Sequence, residues 1–454
     1  MLWTADDVAA ATGGWVVTPA TGTVMRSVGI DSRRLAPESL FVAVRAERDG
    51  HDFVADAVAA GAAGYLVEAG RLDPGRWPAS GPGVGAACGI EVADTGAALL
   101  DLGRAARRRL DVPVVGITGS VGKTSTKDMM AAALGPLGPV AASAMSLNNE
   151  LGVPLTLANA PADATVAVIE MGARGVGQIA LLCEVARPTI AVVTAVAAVH
   201  TELFGSIEAV AAAKGELVEA VGRGGLAVLN ADDPRVAAMA ARTDADLLRF
   251  SAAGASGADV IATGIEIADD LRPTFVLSSP WGGGPVTLGV RGAHQVGNAL
   301  AAAAVALHEG VAWEAVTAAL AAASLSPWRM ELLTAPGGAT ILNDAYNANP
   351  GSMAAALRAL AILPARRRVA VVGPMAELGV DAPAEHRRIA VLADGLGLEL
   401  IAVGTADYGS DPVAGIDEAL AVLGPLGAGD AVLVKASRVA GLERLAARLV
   451  APTG

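Results

Sequence analysis
The chain has 454 residues, a formal net charge of −13, 53% apolar and 3% aromatic residues, and 54 glycines. That length predicts several domains, each large enough to bury a core. The charge argues against a duplex nucleic-acid binder, which needs a basic face to neutralise phosphates, but it permits a small phosphorylated ligand held by a few local cations.

The opening MLWTADDVAAATGG has two early aspartates and no basic leader, so it does not read as a signal peptide. SLFVAV (39–44) and GYLVEA (64–69) are short apolar segments, and the Gly/Pro-rich stretch 81–89 reads as a loop. GRAARRRL (103–110) sets four arginines at near-helical spacing, which predicts a solvated helix face. VPVVGIT (112–118), ATVAVIEMG (164–172), TIAVVTAV (189–196) and GGLAVLN (224–230) are near-continuous apolar runs separated by helical segments. That pattern predicts a parallel sheet covered on both faces. The longest uncharged run, 129–149, is broken by Gly135, Pro136, Gly138 and Pro139; it predicts a helix end, a turn and a strand, not a membrane span. A Gly-rich insertion with strand character (261–290) precedes the helix GNALAAAAVALHEG. Beyond Pro327 the alternation restarts with ATILNDAY, RRVAVVGPM, LELIAVGT and DAVLVKAS, each trailed by a helical segment. Cys88 and Cys183 have neither metal-type nor redox spacing and are expected to be small core residues.

The stretch GITGSVGKTSTKDMM (116–130) follows a buried strand and leads into a helix, the context of a phosphate cradle. It departs from the G-x-x-x-x-G-K-[ST] form: the position that should be the first glycine is Ile117. Glycines let backbone N–H groups approach phosphate oxygens, and the helix N-terminus adds a favourable dipole. Lys123 would reach the terminal phosphates and the Thr124 hydroxyl would bind Mg²⁺. The expected architecture is α/β in three domains: a small mixed α/β N-terminal domain (1–105), a central P-loop-type parallel α/β ATPase domain (106–325) and a C-terminal Rossmann-like α/β domain (326–454).

The compact form T-G-x-x-G-K-T, residues 118–124, resembles the ATP loop of the Mur ligases and folylpolyglutamate synthetases. Further segments resemble the Mur ligases over nearly the whole chain: SLNNELGVPLTL (146–157), IEMGARGVGQIA (169–180), HTELFGSIEAVAAAKGEL (200–217), LNADDPRV (229–236), GAHQVGNALAA (292–302), SPWRMEL (326–332), DAYNANP (344–350) and GPMAELGVDAPAEH (373–386). The last two are more specific than the loop and resemble the members that attach a dipeptide.

The resemblance implies an ATP-dependent amide ligase joining UDP-N-acetylmuramoyl-tripeptide to D-Ala-D-Ala through an acyl phosphate. It implies ATP held by Gly119, Ser120, Val121, Gly122, Lys123, Thr124, Ser125, Asn298, Arg329 and Asp344. It implies Mg²⁺, as two ions, bound by Thr124, Glu170, His200 and Lys214, the last carbamylated. Lys123, Lys214, His200 and Arg329 are the implied catalytic groups. Ser32, Arg33, Asp49 and His51 are implied for the UDP-sugar, with Asn148, Asn149, Tyr346, Asn347 and Asn349 shaping the rest of the substrate cleft. The implied protein is a cytoplasmic monomer that binds no nucleic acid and inserts in no membrane. Two departures stand out: Ser146 replaces a common asparagine and Ala436 a usual glycine.

Each residue also has a plainer reading. Lys214 can be a surface helix lysine, Asn298 a helix N-cap, His200 a structural histidine, and the DSRR segment a polar turn. Other functions stay open as well: a sibling ligase adding the third amino acid, a P-loop ATPase or small-molecule kinase that ligates nothing, and an inert nucleotide-binding scaffold.

Overall fold
A computed structural model describes residues 1–18, 22–71, 87–143, 147–197 and 204–451. It comprises two compact units. One contains Met1–Gly116, Leu137–Gly172 and Gln178–Ile190; the other contains Ile117–Pro136, Ala173–Gly177 and Ala191–Gly454.

The first unit holds a five-stranded sheet in the spatial order Trp15–Thr18, Cys88–Val92, Gly64–Glu68, Ser39–Val42, Ser27–Gly29. Only the first pair is antiparallel. The apolar runs at 39–44 and 64–69 are strands, as their composition predicts. The loop expected over 81–89 ends earlier, because Cys88 and Gly89 already belong to a strand; residues 81–86 lie outside the described set. Gly89 is a packing residue there, since a Cβ would stand 2.7 Å from the Tyr65 hydroxyl.

The helix Thr95–Arg109, capped by Asp94, runs through the expected domain boundary at 105. Its arginines also differ from a merely solvated face. Arg107 Nε donates to the Ala186 carbonyl at 2.8 Å, and Arg109 pairs with Asp7 at 2.6 Å while lying over the Trp3 ring. These tethers hold the helix's last turn inside the unit. Gly103 lets the helix approach closely, as the small-residue composition predicts: a Cβ there would meet Pro154 at 2.6 Å and Val185 at 2.9 Å. The parallel strands Val140–Ala142 and Val166–Glu170 belong to the same unit, and the helix, turn and strand expected over 129–149 are present. Both cysteines are buried.

In the second unit, Leu226–Asn230, Asp246–Ser251 and Val260–Ile267 are parallel neighbours. The Gly-rich insertion extends them with the antiparallel strands Pro273–Ser279 and Gly282–Thr287. A second sheet has the order Glu331–Thr334, Thr340–Asn343, Asp430–Lys435, Arg367–Val372, Glu399–Ala402. Its last four members are parallel and are the four strands expected beyond Pro327. Two separate apolar clusters cover its faces, the reason Val369, Ala370, Val371 and Val372 are all apolar. The antiparallel edge strand Glu331–Thr334 escaped notice because three half-buried residues and an exposed one carry little periodicity. Among the described residues no helix is long and apolar enough to cross a membrane.

Candidate active site
The phosphate-type loop joins the strand Val114–Thr118 to the helix Lys123–Leu134. Gly119 must be glycine: with φ at +153°, a Cβ would sit 1.9 Å from Thr194 Oγ1. Gly122 is left-handed at φ +85° and precedes the helix, where a Cβ would meet Asn298 Oδ1 at 2.5 Å. Ser120 ties the loop to the next segment. Its N–H donates to Ala195 O at 2.7 Å and its hydroxyl accepts from Ala197 N–H at 2.9 Å. Thr194 Oγ1 donates to Val121 O at 2.5 Å. The loop is thus held by the 194–197 segment. Lys123 Nζ donates to Gly119 O at 2.7 Å, folding back across the turn. Thr124 and Ser125 are buried in the helix's first turn.

Asn298 opens no helix as a cap; it lies inside Gln295–His308. Its amide donates to Gln295 Oε1 at 2.8 Å, and its Oδ1 accepts from Thr126 Oγ1 at 3.2 Å. The side chain therefore braces the loop helix.

Lys214 is no surface lysine. It is 3% exposed within the helix Ile207–Ala220, which Ser206 caps. Burial first, and the Lys123 ammonium second, bring its pKa down to about 7. A large share of its amine is therefore unprotonated near neutrality, the form that can capture CO₂.

Glu170 ends its strand at 1% exposure. Asn148 Nδ2 donates to its Oε1 at 2.7 Å, and the Asn148 carbonyl accepts from Gly172 N–H at 2.7 Å. Asn149 turns the other way: its Oδ1 accepts from Gly152 N–H at 3.0 Å and so serves a helix start.

Arg329 lies between two non-glycine residues in left-handed conformation, Trp328 (φ 63°) and Met330 (φ 51°). Such backbone costs on the order of 1–3 kcal/mol per residue and persists only when over-determined. The determinants are visible. Met330 N–H donates to Asp344 Oδ1 at 3.1 Å, Tyr346 N–H donates to Trp328 O at 3.2 Å, and Ser326 N–H donates to Asp128 at 2.7 Å. The Arg329 guanidinium stacks 4.1 Å from the Tyr346 ring centroid, while its buried Nε has no hydrogen-bond partner. Asp344 pairs with Lys435, which is 2% exposed and also donates to Asn347 O at 2.9 Å. Asn349 caps the helix Pro350–Ile362 by accepting from Ser352 N–H at 2.9 Å.

Residues 117–306 match the Mur ligase middle domain, and residues 328–444 match the Mur ligase, glutamate ligase domain. The chain belongs to the Mur ligase family. Among its relatives, the UDP-N-acetylmuramoyl-tripeptide--D-alanyl-D-alanine ligase of Mycobacterium bovis is 44% identical, covering 99% of this chain and 98% of the relative. The Escherichia coli protein of the same name is 37% identical, covering 86% and 84%. MurF from Acinetobacter baumannii matches with a TM-score of 0.86 at 30% identity, covering 99% of both chains. MurF ligase from Thermotoga maritima in complex with ADP matches at 0.79 and 26% identity, covering 94% and 97%.

In this Mur ligase the residues expected at the UDP-sugar all lie in the first compact unit. Arg33 is exposed and forks onto Asp31, with both bonds at 2.8 Å; Ser32 belongs to the same single turn. His51 is not open to a ligand through its ring. Nδ1–H donates to Asp49 at 2.6 Å and Nε2 accepts from Glu68 N–H at 3.0 Å, so it positions Asp49, which also pairs with Arg71. His200 and Ser146 lie outside the described residues.

Among the described residues no three His, Cys, Asp or Glu side chains form a metal cluster. Glu170 offers a buried carboxylate and Thr124 a buried hydroxyl, each an oxygen donor of the kind Mg²⁺ takes. Sequence reasoning overlooked Thr194, Gln295, Asp128 and Lys435. Lys435 carried a usable signal, being a lone lysine at the end of an apolar strand.

Proposed function
We propose that this chain condenses UDP-N-acetylmuramoyl-tripeptide with D-Ala-D-Ala at the expense of ATP, in the cytoplasm. The observation that carries the reading is 44% identity over 99% of the chain to a ligase of that name, with the phosphate loop intact. A side chain at Gly119 would put its Cβ 1.9 Å from Thr194 Oγ1, and one at Gly122 2.5 Å from Asn298 Oδ1, so this loop is built for glycine at both.

A carboxylate oxygen is a poor leaving group, so it first attacks the γ-phosphorus of ATP. The bond from that phosphorus to the β–γ bridging oxygen breaks, and ADP departs. The dipeptide's free amine then attacks the acyl carbon, loses a proton, and phosphate leaves with the electron pair. Two anions must approach each other in the first step, so fixed cations carry much of the catalysis. Lys123 would swing from Gly119 O to the phosphates. Arg329, held over Tyr346 with a donor unspent, would meet the γ-phosphoryl group. The N–H groups of the loop would cradle the other phosphate oxygens.

Thr124, Glu170, His200 and a carbamylated Lys214 would hold Mg²⁺, which supplies charge neutralisation between phosphate and carboxylate. Asn148 fixes the Glu170 carboxylate for this role. Asn298, released from Thr126, would accept adenine, and Asp344, oriented by Lys435, the ribose. Asp49 and Arg33 would serve the UDP-sugar.

Incubation with ATP, Mg²⁺, UDP-N-acetylmuramoyl-tripeptide and D-Ala-D-Ala should yield ADP, phosphate and pentapeptide in equal amounts. Phosphate released without peptide product would reject the ligase reading in favour of an ATPase.

A further inference from the structure
Lys214 is followed by Gly215 in the middle of the helix Ile207–Ala220. A mid-helix glycine costs about 1 kcal/mol relative to alanine, the residue this helix uses at 211, 212 and 213. The structure supplies the reason. A Cβ on Gly215 would lie 1.7 Å from Arg242 Nη1 and 2.2 Å from its Cζ, so the guanidinium occupies the space a side chain would fill. Arg242 ends the single turn Met239–Arg242. It donates to Ala211 O at 3.3 Å, to Ala212 O at 3.1 Å and to Glu219 Oε1 at 2.8 Å. The clamp therefore spans from three residues before Lys214 to five after it. Glu216 Oε1, on the next residue, accepts from Gly177 N–H at 2.5 Å and straps a loop to the same turn.

We propose that Arg242, seated in the slot left by Gly215, is the positioning residue that fixes the Lys214 side chain for its role in the reaction. The inference rests on the reading of Lys214 as a carbamylated lysine. In that modification the neutral amine attacks CO₂, an N–C bond forms, and one proton passes to solvent. A long side chain delivers such a group reproducibly only if its helix turn is held within a fraction of an ångström. Three hydrogen bonds to residues 211, 212 and 219 and the guanidinium contact at Gly215 provide that hold.

The test compares Arg242→Ala, Arg242→Lys, Gly215→Ala and the Gly215→Ala/Arg242→Ala pair with wild type. Measurements are kcat and KM for ATP, thermal midpoint, and the carbamate signal from ¹³C-bicarbonate by NMR of the ligand-free protein. Arg242→Ala should lower kcat by about 10- to 100-fold, as loss of an outer-shell partner does, with KM for ATP within about twofold. Its carbamate signal should fall at a given bicarbonate concentration and recover in excess bicarbonate, with part of kcat. Gly215→Ala evicts the guanidinium and should reproduce the loss, and the double variant should be no worse than either single one. Arg242→Lys, unable to occupy that space and bond three ways, should fall between. Folded Arg242→Ala with wild-type kcat, or additive losses in the double variant, would overturn the proposal; so would a lowered thermal midpoint as the only change. Absence of a carbamate in wild type would sink the Lys214 reading by itself, leaving Arg242 to be decided by kcat and the Gly215 cycle.

Discussion

At the scale of single residues, the site is set by what cannot be substituted. Gly119→Ala should reduce ligation by at least about 100-fold, because the methyl group displaces Thr194, whose Oγ1 holds the loop at Val121 O. The loss should appear in kcat/KM for ATP, with far-ultraviolet circular dichroism unchanged. Lys214 yields a pH prediction whose sign can be worked out. Its folded pKa of about 7 lies below the ordinary 10.5, so between those values the unfolded chain binds one more proton than the folded one. Stability of the unmodified, CO₂-free protein should therefore rise with pH across that window and fall as pH drops toward 7. Urea unfolding of wild type against Lys214→Met reads this directly, and identical pH slopes would refute it. The sequence named Lys214 only through family resemblance; burial is what brings the pKa of this lysine down.

At the scale of elements, close packing and buried pairs decide. Gly103 carries the contact between its helix and the segments around Pro154 and Val185. Gly103→Ala should destabilise by about 1–3 kcal/mol through overpacking, measured as a lower urea midpoint at unchanged slope. Lys435→Met removes one partner of a buried ion pair and leaves Asp344 uncompensated, which should cost about 3–5 kcal/mol. The strands were legible because parallel sheets bury both faces and so write continuous apolar runs such as VAVV. Less legible were the short edge strand Glu331–Thr334 and the strand beginning at Cys88. A four-residue edge carries no period, and a glycine chosen for Tyr65 reads in sequence like a turn glycine. The arginines at 104, 107, 108 and 109 do lie on a half-exposed to exposed face, as their spacing predicts; what the spacing does not show is that the Ala186 carbonyl and Asp7 engage Arg107 and Arg109.

At the scale of the whole molecule, the chain belongs to the Mur ligases along its entire length, and substrate recognition should be modular. Lys123→Ala should abolish ATP binding in calorimetry while UDP-N-acetylmuramoyl-tripeptide binds with unchanged affinity, because Ser32, Arg33 and Asp49 lie in the other compact unit. A large loss of tripeptide affinity in that variant would contradict the division of labour.

The amino-acid order by itself determined the α/β class, the phosphate loop and the family, since each is written in local patterns: apolar runs, glycine spacing, short motifs. Tertiary structure alone decided that Asn149 and Asn349 serve helix ends, that His51 serves Asp49, that Lys435 pairs with Asp344, and that Arg242 fills the space beside Gly215. Those roles depend on residues distant in the chain meeting at hydrogen-bond distance, and burial and partnership leave no periodic trace in the sequence.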